Sequence, residues 1–301
     1  MTTIVDWFGY LASDTSEAAT QARRDEWCPF INAPCVKDFV DGGKSGVCTL
    51  KQSTRSPVVC CPNRLYGDDW EILRYVSSKA FDDDYDLVPG RQARLRAAEI
   101  GDSVVGVFGK SWGGELHLPQ RGGKGSYFVD YILARISPRG DLESFVAVEV
   151  QSIDTTGNYQ NRVRELRGEP QTGSKVSAGF NWENVSKRIL PQLIYKGNVL
   201  EQEAKCRAGL FFITPKPVYE RIMDRLIGEG MPLPPYPPGG NTISFASFDP
   251  DWERATVGEP APLRLTHELT TTVSQVAHNF TGVGNLPPAG SYERAITSVL
   301  A

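Results

Sequence analysis

Helical and strand-like spacings of apolar residues alternate along the chain. Residues 1–26 place apolar side chains at helical intervals and are expected to form an amphipathic helix. Residues 27–65 follow neither period and read as a loop-rich segment. Residues 68–108 read as mainly helical, with Arg91, Arg94 and Arg96 on one helix. From about residue 113 the period shortens to two. Residues 115–118 make a short strand candidate, and residues 127–136 and 145–153 make two clear strands. Ser137-Pro-Arg-Gly-Asp141 between them has the composition of a turn. A helix is expected around 184–204, broken or kinked at Pro191. A short apolar strand at 210–213, a helix at 216–228 and a strand at 242–248 follow. The proline-rich run 232–240 reads as a rigid surface loop. This succession describes an α/β fold, a mixed central sheet flanked by helices.

The two clear strands carry polar groups where apolar ones belong. Both faces of 127–134 are apolar, as in a buried central strand, yet Asp130 interrupts it. In 145–153, Glu149 and Gln151 interrupt one face, and residues two apart in a strand point the same way. A turn centred on Arg139 and Gly140 would set Asp130 opposite Glu149. Opposite residues of an antiparallel pair share a face, so Asp130, Glu149 and Gln151 would converge. Two carboxylates buried together cost several kcal/mol unless compensated, and a divalent cation is the simplest compensation. Hard oxygen ligands of this kind suit Mg²⁺. The bland reading is that both acids sit at strand ends in solvent.

Composition narrows the picture only a little. With 301 residues the chain can form one large domain or two smaller ones, and no stretch approaches a membrane span. The net charge of −4 argues against a globally basic nucleic-acid binder, but a local patch suffices for phosphate contacts. The cysteines change the picture more. Cys28, Cys35, Cys48 and Cys61 fall close together, and His117, His267 and His278 all lie downstream. Four thiolates suit one tetrahedral metal ion, most often zinc in an isolated structural site. Free or disulfide-bonded cysteines are the alternative, and disulfides are disfavoured because residues 1–26 carry Asp6, Asp14, Glu17 and Asp25 and no long apolar run. Reduced thiols fit a cytoplasmic protein. Cys60 adjoins Cys61 and should point the other way, so it is read as the spare. Cys206 is read as a buried helix residue. The expected organisation is a metal-binding segment over 1–66 and a catalytic domain over 67–301.

Asp130 with Glu149-Val-Gln151 resembles the PD-(D/E)XK nuclease motif, with Gln in place of Lys. Cys-Pro-Phe, Cys-Val-Lys, Gly-Val-Cys, Cys-Pro-Asn-Arg, Gly-Gly-Glu-Leu, Glu-Val-Gln and Asn-Val-Ser-Lys-Arg occur here in that order. The ordered set, over about residues 27–230, is similar to the NotI family of type II restriction endonucleases. The resemblance implies iron rather than zinc at Cys28, Cys35, Cys48 and Cys61, and active-site roles for Asp130, Glu149 and Gln151. Glu115, in Gly113-Gly-Glu-Leu116, is a further candidate acid. It also implies Mg²⁺-dependent cleavage of GC-rich palindromes with a GGCC centre, leaving a four-base 5′ overhang.

A palindromic target implies a homodimer on double-stranded DNA. Candidate DNA contacts are Asn158, Tyr159, Lys187 and Arg188, with Arg162, Arg164, Arg167 and Lys175 as further basic residues after the catalytic strand. Singly, each is more often a solvated surface charge. Three other functions stay open on residues alone. A metal-stabilised DNA-binding regulator would not need acids inside strands. A repair or modification-dependent nuclease of the same fold would carry the same acids. An iron electron-transfer protein would favour close Cys-x-x-Cys pairs over the twelve-residue gaps here.

Overall fold

The computed structural model describes residues 2–39, 42–53, 55–114, 116, 118–119, 126–170, 178–228, 231–282 and 288–300. Its N-terminal stretch departs from the expected helix. Thr2–Trp7 is strand β1, and only Glu17–Arg24 (α1) is helical. The β-branched residues Thr2, Thr3, Ile4 and Val5 favour the extended form. Ser16 starts the helix by accepting a hydrogen bond from the Ala19 amide at 3.2 Å. Val47–Gln52 (β2) pairs antiparallel with β1, and the short strands Tyr10–Leu11 and Val58–Val59 complete a four-stranded sheet. The cysteine segment is therefore built around a sheet rather than being loop alone.

A 3₁₀ turn, Pro62–Tyr66, leads into helix α2, Gly67–Phe81. Residues 82–109 are less helical than expected. They hold strand β3 (Leu87–Pro89), helix α3 (Ala93–Ile100) and strand β4 (Val104–Gly109). Strands β5 (Tyr131–Ile136) and β6 (Leu142–Val150) form the expected hairpin, turning at Gly140 with φ +84°. Helix α4 (Gln160–Arg167) follows. The expected break at Pro191 is a change of helix type: Val185–Ile189 is π-helical and Leu190–Leu200 (α5) is α-helical. Strand β7 (Cys206–Thr214), helix α6 (Lys216–Leu226), strands β8 (Thr242–Pro250) and β9 (Leu263–Thr272), and helices α7 (Val273–Thr281) and α8 (Ser291–Leu300) complete the chain. Cys206 opens β7 rather than sitting in a helix; it is buried as expected.

The main sheet has seven strands in the order β9-β8-β7-β6-β5-β4-β3. Strands β6, β7 and β8 run parallel, and the β4-β5-β6 pairs are antiparallel. Alternation along β6 feeds two cores. Val146, Val148 and Val150 face Ile72, Leu73 and Val76 of α2. Ala147 and Phe145 face the side covered by Leu190 and Leu193 of α5 and by Val218 and Ile222 of α6. Each such aliphatic side chain contributes about 1.5–3 kcal/mol by burial. Cys28, Cys48, Cys61 and Leu65 join the α2 core, so the N-terminal segment and the main sheet share one hydrophobic cluster. No helix among the described residues is long and apolar enough to cross a membrane.

The N-terminal sheet is pinned by a buried ion pair. Arg64 Nε lies 2.6 Å from Asp6 Oδ2, with side chains 0% and 1% exposed. Arg64 also donates to the Ala261 carbonyl, tying the segment to residues before β9. Burial pushes the Asp6 carboxyl up, against the pull of Arg64. Removing one partner leaves an uncompensated buried charge, at a cost of about 3–5 kcal/mol. Asp6→Ala should therefore lower unfolding stability by about that much in a urea titration. The double change Asp6→Leu with Arg64→Met should recover most of it.

Candidate active site

The hairpin register brings the expected residues together. Tyr131 pairs with Val148 and Ile132 with Ala147, and one further step sets Asp130 against Glu149. The strands are shorter than expected, however. Ser126–Tyr127 pairs separately with Leu118–Pro119, and β5 begins only at Tyr131. Asp130 therefore stands at the mouth of β5, and Gln151 lies just past the end of β6. The site is at an end of the sheet rather than across its middle. It is nevertheless not solvated: the Glu149 side chain is only 12% exposed.

Backbone hydrogen bonds fix this geometry. The Val150 amide donates to Asp130 Oδ2 at 2.8 Å, locking the first acid onto the strand that carries the second. The Gln151 amide donates to the Ile213 carbonyl at 3.0 Å, and the Gln151 carbonyl accepts from Thr214 Oγ1 at 2.7 Å. Gln151 is thus held to β7 although it lies beyond the ladder of β6. Glu149 Oε1 lies 2.6 Å from Lys196 Nζ, from α5. Its second oxygen, Oε2, is buried without a hydrogen bond. Burial and the neighbouring Asp130 push the Glu149 carboxyl up to about 7, while Lys196 pulls it down. A carboxylate oxygen left over beside a second acid fits a hard divalent cation, which takes one or two carboxylates and keeps waters. Glu115 lies outside the described residues.

Lys196 was not legible as a site residue in the strand pattern. Its signal is its place on α5, three residues after buried Leu193 and four before buried Leu200. A lysine on the apolar stripe of a helix has to meet a partner.

All six cysteines are free thiols and buried. Cys60 and Cys61 point opposite ways, as an extended pair should, into different hydrophobic clusters. Cys28, Cys48 and Cys61 share one cluster, whereas Cys35 lies with Cys60 in the next. Among the described residues, no three potential metal ligands converge on one point. Two of the sulfurs have neighbours that support a thiolate, whereas Asp6 beside Cys48 adds to the upward push of burial. Burial pushes the Cys28 thiol up, but the Phe30 and Ile31 amides hydrogen-bond its sulfur and pull it down. Burial pushes Cys61 up to about 12, with Lys37 and the Asn63 amide opposing. Buried thiols of this kind are the donor type that a structural metal ion takes, but the described sulfurs do not gather into one tetrahedral set.

The DNA-contact candidates separate. Tyr159 is buried; its hydroxyl lies 3.1 Å from Ser45 Oγ and its ring packs on Phe39. It joins the start of α4 to the cysteine segment. Asn158 caps the same helix, its Oδ1 accepting from the Gln160 amide at 2.7 Å. Lys187 is exposed and paired with Glu183 one turn away. Arg188 is exposed and 3.4 Å from Asp154, which also accepts from Asn184 Nδ2 at 2.7 Å. Arg162 pairs with Glu165, and Arg167 with Glu26. Lys175 lies outside the described residues.

No curated protein matches the chain. The family model described as restriction endonuclease NotI matches residues 14–212, from just before the first helix into β7 and more than half of the 301 residues. That stretch holds the cysteine segment, Asp130, Glu149, Gln151 and Lys196. The chain belongs to the NotI family of restriction endonucleases.

Proposed function

We propose that the protein is a type II restriction endonuclease, EagI or a near relative of it, working as a homodimer. It makes Mg²⁺-dependent double-strand cuts at a GC-rich palindrome with a GGCC centre. The best candidate is CGGCCG, cut to leave a 5′ GGCC overhang. The observation that carries this reading is the pairing of Asp130 and Glu149 at the end of the β5-β6 hairpin, with Glu149 Oε2 buried and unsatisfied. Those two carboxylates would hold the Mg²⁺. When bound, such an ion acidifies a water and neutralises charge developing on the phosphate.

The chain's own residues do the positioning. The Val150 amide keeps Asp130 aimed toward Glu149. Gln151, uncharged but both donor and acceptor, orients the attacking water by a hydrogen bond. Its backbone bonds to Ile213 and Thr214 set where that amide stands. Lys187 and Arg188, exposed on the π-helical turn, contact DNA phosphates, and Asn158 lies on the same path. Cys28, Cys35, Cys48 and Cys61 hold one structural metal ion, iron by the family resemblance, while Cys60 does not take part. Digestion of a plasmid of known sequence with Mg²⁺, followed by end mapping, tests the reading. Cuts confined to CGGCCG sites are expected. Cuts at unrelated sequences, or none with Mg²⁺, would sink it.

A further inference from the structure

We propose, resting on the nuclease reading above, that Lys196 is a catalytic residue which supplies the positive charge absent from position 151. The PD-(D/E)XK pattern sets its lysine two residues after the second acid, where this chain has Gln151. The structure brings a lysine to the same site from another element. Glu149 lies on the sheet face covered by α5, because Phe145 and Ala147 on that face pack with Leu190 and Leu193. Lys196 projects from α5 onto this face and meets Glu149 at 2.6 Å. Its side chain is only 13% exposed.

Burying a lysine costs several kcal/mol unless it is paired, and an apolar residue on this stripe would pack at no such cost. Neutralising Glu149 alone accounts for the pair but not for the arrangement. Two acids stand here, and one lysine leaves a negative excess and one carboxylate oxygen free. The site can therefore hold a cation and keep the ammonium beside it. In hydrolysis a water oxygen bonds to phosphorus and the bond from phosphorus to O3′ breaks. One water proton ends on O3′ and the other passes to solvent. Negative charge builds on the phosphoryl oxygens in that transition state. A fixed ammonium next to the metal-binding carboxylates stabilises it, and Lys196 itself undergoes no covalent change.

The test uses the full chain, with Lys196→Met, Lys196→Arg and the double variant Lys196→Met/Gln151→Lys. Single-turnover cleavage of a CGGCCG duplex with Mg²⁺ is measured, and Ca²⁺ affinity of the enzyme–DNA complex is read by calorimetry. Lys196→Met should cleave about 10²–10³-fold more slowly, the typical cost of one electrostatic group. Its Ca²⁺ affinity should stay within about threefold of the parent's or tighten, because a positive charge beside the cation site has been removed. Lys196→Arg should retain most of the rate. Returning lysine to position 151 in the double variant should recover at least about tenfold over Lys196→Met, as expected for a restored charge. Parent-rate cleavage by Lys196→Met would overturn the assignment. So would loss of Ca²⁺ binding together with cleavage and no rescue by Gln151→Lys, since Lys196 would then only hold Glu149 in place. If the methionine variant fails to fold, Lys196→Gln keeps a hydrogen bond without the charge, and parent-rate cleavage there overturns the assignment equally. A parent enzyme that cuts no DNA would instead remove the nuclease reading.

Discussion

Asp130→Ala and Glu149→Ala should each reduce Mg²⁺-dependent cleavage by at least about 10³-fold, or about 4 kcal/mol of transition-state stabilisation. Specific DNA binding in Ca²⁺ should persist in both. The register sets the two carboxylates opposite one another at the end of β5 and β6, where as metal ligands they would not read bases. Removing either relieves repulsion between the acids, and Lys196 remains to offset the other. Filter binding beside single-turnover cleavage separates the two effects. Loss of folding in both variants would instead mark the acids as structural.

The same pair gives a pH signature. The folded state holds the Glu149 proton up to about 7, whereas the ordinary value is 4.5. The native form thus binds more protons than the unfolded form between those limits. Stability contributed by this group is full below about 4.5 and falls as pH rises toward about 7. Glu149→Gln removes that slope, so its unfolding curve should be flatter over this window than the parent's. Cation affinity moves the opposite way. A divalent ion competes with the proton, so Ca²⁺ binding should strengthen as pH rises through the same window.

What the sequence disclosed and what it concealed have physical reasons. The hairpin register was readable because Asp130 and Glu149 interrupt long apolar runs and one turn joins them. Tyr131 opposite Val148 continues to that same pair. The strand ends were not readable. Apolar residues around 127–130 suggested a continuous strand, but the chain bends at Asp130 and only then enters the sheet. The N-terminal strand was missed because apolar residues at helical intervals outweighed the β-branched run 2–5, which β2 pairs with at long range. Lys196 was missed for another reason. Strand periodicity groups residues of one strand, whereas this lysine reaches the site from a helix 47 residues beyond Glu149. Tyr159 beside Asn158 looked exposed in a polar stretch, yet Ser45 and Phe39, distant in sequence, bury it.

The cysteine segment bears on catalysis through packing, and this sets the second large effect. Cys28, Cys61, Tyr66, Tyr131 and Val150 share one hydrophobic cluster. The Tyr66 ring meets Tyr131 edge-on at 5.7 Å. Burial raises the Tyr66 hydroxyl's pKa, and the nearby Asp130 raises it further. The cysteine segment therefore abuts the residues on either side of the two acids. A metal ion held by Cys28, Cys35, Cys48 and Cys61 would fix that side of the site and supply folding free energy to a segment with a small core of its own. Cys28→Ser, Cys35→Ser, Cys48→Ser and Cys61→Ser should each lose the metal and lower the melting temperature, with cleavage falling alongside folded protein. Cys60→Ser should do neither, since Cys60 points into the neighbouring cluster beside Lys37. Elemental analysis of protein expressed in iron-replete medium should give one iron per chain. One zinc per chain would correct the identity of the ion while leaving the site standing. Full metal content in all four serine variants would refute the site itself. Full content in Cys35→Ser alone, with loss in Cys60→Ser, would exchange the fourth ligand, since those two residues share a cluster.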